Sequence, residues 1–529
     1  MNKPTVSESR LMATLSPTDK SIDFQSTMVN VEGDGPTNLD ARWLRAAFFA
    51  FEERESPFRH RVQNFSIWPK LRFLTFDMMR NQLGMYTPRP QGPKTNVFRK
   101  RFRSATLLPE GALEILKIGK LGGLSGKLSI LALTRDIRLQ DAVDGIYRNR
   151  CFDFFSPPLP NLITVYDIST RRAALRAYPR PVITNAHQYV WRAIELCLRP
   201  KPTAALSVLF HDFSNFMSAA GWSTLPADLY AKWCSAERAF RADVASTRYI
   251  LASLNPSLLL LDTGYGREGA IAAAKCAGVP VWELQHGFLG PEHMGYIYDR
   301  ESVPSNRSAL PFPDRFFTFG DYFREVIEQS GYCAPDSVSS LGLPRLEHFK
   351  KTIPRASWKR RPFRVLISSQ WIYYESLVDF LRRATSHSAS DIEFVIKPHP
   401  DDSLEMIDGY RKIGKSLKVL SRSDSIYESF RDVHLHAAVS STTLFESIGM
   451  SIPTVVLALP GWSNAKVLVE TDAAHLSDDP LEFAAFISEL AGDQERYEAL
   501  VEKTADSARY YWAADPGQRF DDLIRGAVE

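Results

Sequence analysis

The chain has 529 residues, of which 44% are hydrophobic, and its formal net charge is only +3. One hydrophobic core rarely serves so long a chain, so two large domains are expected. The hydrophobic fraction is typical of a soluble globular protein, and so small a net charge does not indicate nucleic-acid binding. No segment of the sequence approaches the roughly 18 apolar residues of a membrane-spanning helix.

The N-terminal segment and the cysteines bear on where the protein works. Residues 1–38 are polar, lack the apolar core of a secretory signal, and are expected to be poorly ordered. The cysteines are odd in number and far apart, and none forms a Cys-x-x-Cys pair. This usage favours a reducing, cytoplasmic compartment with free, mostly buried thiols, and it argues against a structural zinc site. The cysteines are Cys151, Cys197, Cys234, Cys276 and Cys333.

Short apolar runs in the first half, after a helical pattern at 39–54, predict the strands of a mostly parallel sheet. Between the helical pattern and the first of these runs, residues 87–103 carry prolines and positive charge and are predicted to form a basic loop. The sequence between the runs is predicted to form helices. The four predicted strands are 127–134, 161–168, 180–186 and 205–212.

The clearest unit of the first half runs from about residue 228 to Gly287. A long helical pattern ends at Asn255-Pro256, and residues 257–262 follow as a buried strand. Residues 267–278 read as a helix with a glycine stop, and the next strand is 279–285. A strand, a helix and a second strand in this order form a βαβ unit of the Rossmann type.

A basic segment with prolines at both ends, 344–362, is predicted to link the first domain, 39–343, to a second one, 363–529. Ligands of doubly wound sheets bind beyond the carboxyl ends of the strands. The predicted fold is therefore α/β and GT-B-like, with two Rossmann-type domains that face each other across a cleft. The second domain ends in helices, and its predicted strands are 363–370, 392–397, 417–420, 433–439 and 453–458.

The strand at 392–397 ends in the sequence Lys-Pro-His-Pro. The two prolines stiffen this exit, and His399 between them can donate a hydrogen bond to a phosphate, with Lys397 adding charge. The alternative is a solvent-facing loop with an incidental histidine. Asp401 and Asp402 would repel a phosphate, so they are expected to face water or to cap the next helix.

The strand at 433–439 ends in four consecutive hydroxyl residues that lead into a helix. A helix N-terminus carries unpaired N–H groups and a partial positive charge, and small hydroxyl side chains let a phosphate approach it closely. The alternative is a capping box made by Thr443 and Glu446. The predicted phosphate-binding residues of this segment are Ser440, Ser441, Thr442 and Glu446.

The strand at 279–285 ends in Gln285-His286-Gly287. Gly287 permits a sharp turn, and His286, presented to the cleft, can serve as a general base. The alternative for His286 is a buried, hydrogen-bonded histidine at the end of a strand.

The loop after the strand at 257–262 contains Gly264, Gly266 and Gly269, the spacing of a dinucleotide-binding loop, with Glu283 nineteen residues beyond the first glycine. Asp262 and Thr263 come between the apolar run and that glycine, where a dinucleotide-binding strand usually runs straight into the glycine. A dehydrogenase would also leave the phosphate segments of the second domain unexplained. We therefore expect the glycines to let a sugar or acceptor approach the backbone, and Asp262 or Glu268 to contribute a carboxylate.

Two further features bear on ligands. After the strand at 363–370, Ser369 can face a nucleotide, and the aromatic residues at 371–374 either stack on a ring or, the better interpretation, pack into the core. The basic stretches at 94–103 and 355–364 are ordinary solvated loops or contacts to an anionic membrane surface or a lipid-linked diphosphate.

Four segments in order, Gln-His-Gly at 285–287, Ile-Ser-Ser-Gln at 367–370, Lys-Pro-His-Pro at 397–400 and Ser-Ser-Thr-Thr-Leu-Phe-Glu at 440–446, resemble bacterial surface-polysaccharide glycosyltransferases of GT-B fold. The His-Pro and Ser-Ser/Thr pair is similar to that of bacterial sialyltransferases and capsule Kdo transferases, and polymerases that use CDP-glycerol share the pattern. The resemblance covers about residues 228–470.

The resemblance implies roles for individual residues. The imidazole of His399 and the hydroxyls of Ser440, Ser441 and Thr442 would bind the donor phosphate, assisted by Lys397. Neither a metal nor another cofactor would be needed, because protein groups neutralise the leaving phosphate. Sialyltransferases carry their base in an acidic motif of the first domain. Residues 262–264 match that motif only in part, so the base is either Asp262 or His286.

The predicted function is a cytoplasmic, metal-independent, inverting glycosyltransferase. It would move a sugar, for instance a CMP-linked acidic sugar, from a nucleotide donor to a surface polysaccharide or glycolipid acceptor. The expected partners are the nucleotide sugar, a glycan or lipid-linked acceptor and the inner membrane surface, but not nucleic acid. The alternatives are a CDP-glycerol or polyol phosphotransferase, a nucleotide-sugar epimerase, and a non-catalytic nucleotide-binding assembly factor.

Overall fold

The computed structural model describes residues 40–83, 107–122, 129–134, 141–143, 146–166, 182–414 and 417–528. The predicted disordered segment 1–38 and the basic stretch 94–103 lie outside the described residues.

The first half of the chain forms a seven-stranded sheet and two short antiparallel hairpins. Its strands are β1 (Arg61–Val62), β2 (Phe65–Ser66), β3 (Ile130–Leu133), β4 (Asp141–Val143), β5 (Ile146–Arg148), β6 (Leu162–Tyr166), β7 (Val182–Thr184), β8 (Leu258–Leu261), β9 (Val281–Leu284), β10 (Arg315–Thr318) and β11 (Val338–Ser340). The sheet order is β11-β10-β9-β8-β3-β6-β7. All of its neighbouring strands run parallel.

The second half forms a six-stranded sheet of order β14-β13-β12-β15-β16-β17, again parallel throughout. Its strands are β12 (Phe363–Ser368), β13 (Ile392–Lys397), β14 (Leu417–Val419), β15 (Leu435–Ala438), β16 (Thr454–Leu457) and β17 (His475–Ser477). Two α/β domains of this kind, facing each other, are the GT-B-like fold predicted from the sequence, and the structure confirms it.

Helices surround both sheets. Those in the described residues are α1 (Ala41–Glu55), α2 (Trp68–Gln82), α3 (Leu108–Leu121), α4 (His187–Leu198), α5 (Ala204–Ala219), α6 (Leu229–Leu254), α7 (Glu268–Cys276), α8 (Asp321–Gln329), α9 (Pro344–Thr352), α10 (Tyr374–Ser386), α11 (Leu404–Arg411), α12 (Ile426–Ser429), α13 (Thr442–Gly449), α14 (Lys466–Glu470), α15 (Pro480–Gly492), α16 (Gln494–Tyr511) and α17 (Pro516–Val528).

The central strands are apolar on both faces because helices cover both sides of each sheet. In β3, Leu131 and Leu133 join one hydrophobic cluster, whereas Ile130 and Ala132 join another on the opposite face. The leucines of β8 divide in the same way, and all four are buried. The continuous apolar runs of the sequence therefore correspond to fully covered strands.

One predicted strand is wrong. Residues 205–212 lie inside α5, whose first turn is capped by the Thr203 hydroxyl accepting from Leu206 N. The buried residues of α5 are Leu206, Leu209, Phe213 and Met217, which recur at helical rather than alternating spacing. Strands β10 and β11 were not predicted from the sequence.

The expectation of mostly buried thiols is also wrong. None of the five cysteines, all of which lie in the described residues, forms a disulfide, as expected, but only Cys151 and Cys333 are buried, while Cys197 and Cys276 are exposed.

The two halves are joined by more than the predicted linker, which itself contains α9. The last helix, α17, returns to the first sheet, where Phe520 is fully buried. Its ring centroid lies 4.8 Å from that of Phe155, 5.9 Å from Trp282 and 6.1 Å from Phe317. The helix thus fastens the C-terminus of the chain to the first domain, across the predicted domain boundary.

Truncating this anchor should destabilise the whole protein. We expect Phe520→Ala to lower the free energy of unfolding by about 3–5 kcal/mol, because it empties a closed aromatic site. Urea unfolding followed by circular dichroism measures this loss. Leu481→Ala, at a position 42% exposed in α15, is the control and should cost well under about 1 kcal/mol. Equal, small losses in both variants would contradict the anchoring role.

Candidate functional site

The order of the strands locates one crevice in each sheet. From β3 the chain runs outward to β6 and β7 and then returns to β8 on the other side; from β12 it runs to β13 and β14 and then returns to β15. Such reversals open a crevice at the carboxyl ends of the two central strands, where α/β proteins bind ligands. In the first sheet these ends lead to Thr134 and Asp262, and in the second to Ser369 and Ser440.

In the second crevice, Gln370 holds the start of the hydroxyl run. Its side-chain oxygen accepts from Ser440 N at 3.2 Å, and its side-chain nitrogen donates to Ser440 O at 3.1 Å. The Tyr373 hydroxyl lies 3.0 Å from Ser440 Oγ. These contacts fix the end of β15 against the end of β12, so the N-terminus of α13 has a defined position.

The helix that follows is capped by Ser441, whose hydroxyl accepts from Thr443 N at 3.3 Å. The alternative of a capping box with Thr443 as the cap is therefore wrong, since Thr443 lies inside the helix. Thr442 is the first helical residue and is exposed, and Glu446 accepts a hydrogen bond from the Tyr427 hydroxyl at 3.3 Å. One of the four hydroxyl groups thus serves the cap.

The loop after β13 is organised around a buried carboxylate. Asp402 is only 1% exposed, and its Oδ2 accepts from Ser369 Oγ at 2.5 Å and from His399 N at 3.0 Å. Burial raises the pKa of Asp402 against the lowering effect of these hydrogen bonds. The expectation that Asp402 faces water or caps the next helix is wrong, because Ser403 caps α11.

Lys397 is directed inward. Its ammonium donates to Pro398 O at 2.9 Å and to Arg422 O at 3.1 Å, and burial lowers its pKa. The side chain of His399, by contrast, is 38% exposed. Because His399 Nδ1 accepts from Asp401 N at 3.1 Å, the proton of the neutral ring is on Nε2, which makes Nε2 a hydrogen-bond donor.

A histidine that sequence reasoning did not single out lies behind this crevice. His436 is fully buried, with Nε2 2.9 Å from Ser368 Oγ and Nδ1 3.0 Å from Ser447 Oγ. Desolvation lowers its pKa to about 3, so the ring is neutral at physiological pH. It connects β12, β15 and α13 from inside.

In the first domain, Glu283, nineteen residues beyond Gly264, accepts hydrogen bonds from inside the protein. Glu283 is fully buried, and its carboxylate accepts from Gly264 N, the Tyr296 hydroxyl and the Tyr332 hydroxyl, each at 2.7 Å. Desolvation raises its pKa to about 7 against these three hydrogen bonds. A β-carbon at Gly264 would collide with Tyr332 and Glu283, so internal packing already requires glycine there.

The other two glycines of the spacing also have structural explanations. Gly266 has a positive φ of 83°, and a β-carbon at Gly269 would collide with the backbone of α6 at Phe240. The dinucleotide-loop spacing therefore reflects a turn and close helix packing.

The two candidate carboxylates of the first domain are engaged differently. Asp262 is 1% exposed and accepts from Thr134 Oγ1 at 2.5 Å. Glu268 forms an ion pair with Lys70 at 3.1 Å and accepts from Gly266 N at 2.5 Å. Glu268 therefore shapes the loop before α7, whereas Asp262 closes the crevice between β3 and β8.

One cleft between the domains brings several predicted residues together. From the first domain it is lined by His286 and Gly287 at the end of β9, and from the second by Thr442 and Glu446 in the first turns of α13. Its empty volume is about 490 Å³, part of it open to solvent. Asp262, Glu268, Ser369, Lys397, His399, Ser440 and Ser441 lie outside this lining.

Two arginines line the same cleft and were missed from the sequence, Arg150 and Arg345. Arg345 is 4% exposed and stacks over the Tyr427 ring at 4.5 Å. Arg345 begins a helix in the predicted linker, and Arg150 follows a short hairpin, so no local pattern marks either one. With the positive end of α13, they make the cleft suited to an anionic ligand.

The remaining predictions concern aromatic and basic segments. Tyr373 and Tyr374 pack against the core of the second domain. This is the interpretation that was preferred from the sequence over stacking on a ligand ring. In the basic stretch 355–364 the guanidinium groups pair with carboxylates of the same domain, which weakens the case for a membrane contact there. The pairs are Arg355–Glu498, Arg360–Asp432, Arg361–Asp391 and Arg364–Glu393.

Two features are absent from the described ranges. Of the helices there, none combines the length and hydropathy of a membrane-spanning segment. Within the same ranges, no three His, Cys, Asp or Glu side chains are grouped as potential metal ligands.

Comparisons with known proteins give only low similarity. No protein-family model and no curated protein matches the chain. A UDP-N-acetylglucosamine 2-epimerase structure covers 77% of this chain and 98% of its own at 11% identity, with a TM-score of 0.48. HepE of Anabaena in complex with UDP covers 75% and 100% at 14% identity, with a TM-score of 0.42. The Neisseria meningitidis UDP-GlcNAc 2-epimerase bound to UDP-GlcNAc covers 75% and 100% at 11% identity, with a TM-score of 0.47. Sequence identities and TM-scores this low do not identify the activity of this chain.

The buried neutral state of His436 predicts an acid-sensitive fold. Its folded pKa of about 3 is below the unfolded value of 6.5, so the unfolded chain binds the extra proton between these values and stability falls as pH falls through this window. Between pH 7.5 and 5 this histidine should account for about 2 kcal/mol of lost stability.

Urea unfolding at the two pH values tests this on His436→Gln. The variant should lose about 2 kcal/mol less than the wild type over the same interval, whatever its stability at pH 7.5. His211→Gln, at an exposed position of α5, should behave as the wild type. If His436→Gln lost as much stability between pH 7.5 and 5 as the wild type does, the low pKa of His436 in the folded protein would be refuted.

Proposed function

We propose that this protein is a metal-independent, inverting glycosyltransferase of the cytoplasm, which moves a sugar from a nucleotide donor to a surface polysaccharide or glycolipid. The second domain would hold the nucleotide diphosphate or monophosphate, and the first would hold the acceptor. A CMP-linked acidic sugar is the donor that we favour, on the sequence resemblance alone. Contact with the inner membrane belongs to the same proposal.

The observation that carries the proposal is that His286 and Thr442 line opposite walls of one cleft. A proton acceptor from the end of β9 thereby faces the N-terminus of α13, where a leaving phosphate would be stabilised. A ligand with its phosphate at α13 would present its sugar toward His286. A transferase of nucleotide sugars needs this arrangement of base and leaving-group site.

In the proposed reaction, His286 takes the proton of the acceptor hydroxyl. The freed oxygen forms a bond to the anomeric carbon from one side as the bond from that carbon to the donor phosphate oxygen breaks on the other. The electron pair of the broken bond stays on the phosphate, where the N–H groups of α13 and the arginines of the cleft would stabilise the charge. His399 lies outside the cleft lining, and its role as a further donor from Nε2–H is proposed on the sequence resemblance. Displacement from the opposite face inverts the anomeric carbon.

His286 is preferred to Asp262 as the base. Asp262 is almost fully buried and accepts from Thr134, whereas His286 is half-buried and lines the cleft. Histidine is also the side chain that most often serves as a general base. Lys397, Ser369 and Asp402 would act indirectly, by shaping the loop that carries His399.

A nucleotide-sugar epimerase is the second candidate, and one feature favours it. Asp262 and His286 follow the neighbouring strands β8 and β9, which supplies two proton-transfer groups, and an epimerase that works by proton removal and return needs two. Incubation of the protein with a nucleotide sugar in deuterated water separates the candidates. Deuterium incorporated into the sugar without any acceptor would support the epimerase and overturn the transferase.

Nucleotide binding is the first test of the proposal. A thermal-shift screen with CMP, CDP, UDP, GDP and NAD identifies the nucleotide, and calorimetry then measures its affinity. We expect His399→Ala to weaken binding about tenfold or more, since a hydrogen bond to a charged phosphate contributes about 1.5–3 kcal/mol. His387→Ala, at an exposed position after α10, should bind normally. Equal affinities in both variants would contradict the assigned role of His399.

Transfer activity tests the base. With the nucleotide sugar found in the screen and a glycan acceptor, His286→Ala should lower kcat by about 10²-fold or more with little change in nucleotide affinity. Gly287→Leu is a second probe, because a β-carbon there meets no atom within 4 Å and φ is not positive. A leucine at this position should fill the cleft and reduce transfer without unfolding the protein. Unchanged glycan output in His286→Ala and Asp262→Asn would indicate a non-catalytic nucleotide-binding protein.

A further inference from the structure

We propose that Tyr296 and Glu283 form a buried positioning pair that holds His286 in the tautomer with its proton on Nδ1, so that Nε2 is the basic atom. The inference of the tautomer rests on the contacts of Tyr296 and Glu283, whereas its use in catalysis rests on the proposed function.

The pair begins at the carboxylate of Glu283, which accepts three hydrogen bonds. Gly264 N and the Tyr296 hydroxyl donate to Oε1, and the Tyr332 hydroxyl donates to Oε2, all at 2.7 Å. At pH 8, above its pKa of about 7, Glu283 is mainly ionised, and an ionised carboxylate can only accept. The single hydroxyl hydrogen of Tyr296 is therefore directed at Glu283 and is not available to any other partner.

The next link is the contact between Tyr296 and His286, whose Nδ1 lies 3.4 Å from the tyrosine oxygen. Since the Tyr296 hydroxyl donates its one hydrogen to Glu283, the tyrosine oxygen can only accept a hydrogen bond from the imidazole. A hydrogen bond between the two thus requires the proton on Nδ1. The separation is longer than in a formed N–H···O bond, and such contacts in ligand-free active sites often shorten in the reactive complex.

Packing restricts the tyrosine to this arrangement. Tyr296 is fully buried, and burial together with the nearby Glu283 raises its pKa well above the usual value, so the hydroxyl stays protonated. Its ring lies edge-on to Tyr265 at 5.1 Å, to Phe316 at 5.5 Å and to Tyr332 at 5.2 Å. A ring enclosed on several sides cannot turn its hydroxyl away from Glu283 and His286.

The chemical consequence concerns His286 after it has taken a proton on Nε2. The resulting imidazolium would donate from Nδ1 to Tyr296, which in turn donates to the carboxylate of Glu283. A negative charge two hydrogen bonds away stabilises the imidazolium, and no proton has to leave Nδ1. Glu283 and Tyr296 are therefore positioning residues, because neither needs to touch the substrate.

Nitrogen NMR reads the tautomer directly and needs no substrate. In protein labelled with ¹⁵N-histidine, long-range ¹H–¹⁵N correlation spectra at pH 8 distinguish Nδ1–H from Nε2–H rings. The signals of His286 are those that vanish in His286→Gln. We expect the wild type to be mainly in the Nδ1–H form, and Tyr296→Phe to move His286 toward the Nε2–H form.

Tyr332→Phe is the matched control. It removes a phenol that donates to the other oxygen of the same carboxylate, and it should leave the tautomer of His286 as in the wild type. A wild-type His286 in the Nε2–H form, or the same spectrum in Tyr296→Phe as in the wild type, would overturn the proposal. If Tyr296→Phe does not fold, the wild-type spectrum alone decides between the two tautomers.

Activity then separates this inference from the proposed function. If both are right, Tyr296→Phe should lower kcat for transfer by about tenfold or more, as a disturbed general base would, with unchanged KM for the nucleotide sugar, and Tyr332→Phe should change it less. An Nδ1–H tautomer together with full activity in His286→Ala would refute the proposed function and leave the positioning pair in place.

Discussion

Parallel strands all end at the same edge of their sheet, and both sheets of this protein use that edge for one cleft. Each sheet reverses its winding direction once, at β3 and β8 in the first domain and at β12 and β15 in the second. The reversal opens a crevice at the carboxyl ends, since the connections leave there in opposite directions. Everything that the cleft can do depends on this geometry, because it brings a helix N-terminus from one domain opposite a histidine from the other. The terminal helix α17, anchored by Phe520 on the first sheet, adds a second connection between the halves.

Both domains build the loop after a strand around a buried carboxylate. In the second domain, Asp402 accepts hydrogen bonds from the hydroxyl of Ser369 and the amide of His399. In the first, Glu283 accepts hydrogen bonds from the amide of Gly264 and from two tyrosine hydroxyls. Burying a carboxylate is unfavourable, as the raised pKa of each one records, and the hydrogen bonds offset part of that cost. These hydrogen bonds hold each short loop in one conformation. The histidine beside the loop, His399 or His286, therefore has one orientation.

Sequence patterns predicted the structure correctly where an apolar run or a helical spacing was clear over the whole element. The leucines of β8, the 26-residue α6 and the strands β12 to β16 were predicted, because continuous apolar runs and helical spacing indicate such elements directly. Strand β17 was not predicted. The patterns failed at 205–212, where an eight-residue apolar window fits a strand as well as a helix. The glycine spacing before Glu283, which the sequence analysis had set aside as a dinucleotide-binding loop, arises from a buried carboxylate and close packing.

The sequence by itself determined the two-domain α/β fold, the helix that follows the hydroxyl run and the presence of a histidine after β9. Only the tertiary structure decided which of the polar groups meet. Lys397 and Ser369 turn inward to loop partners, Asp402 is buried, and Arg150 and Arg345 join His286 and Thr442 in the cleft. The physical reason is that a polar side chain at the end of a strand takes the partner that packing provides. For Asp402 that partner is 33 residues away in Ser369, and for the cleft the two walls are more than 150 residues apart. No local pattern carries that information.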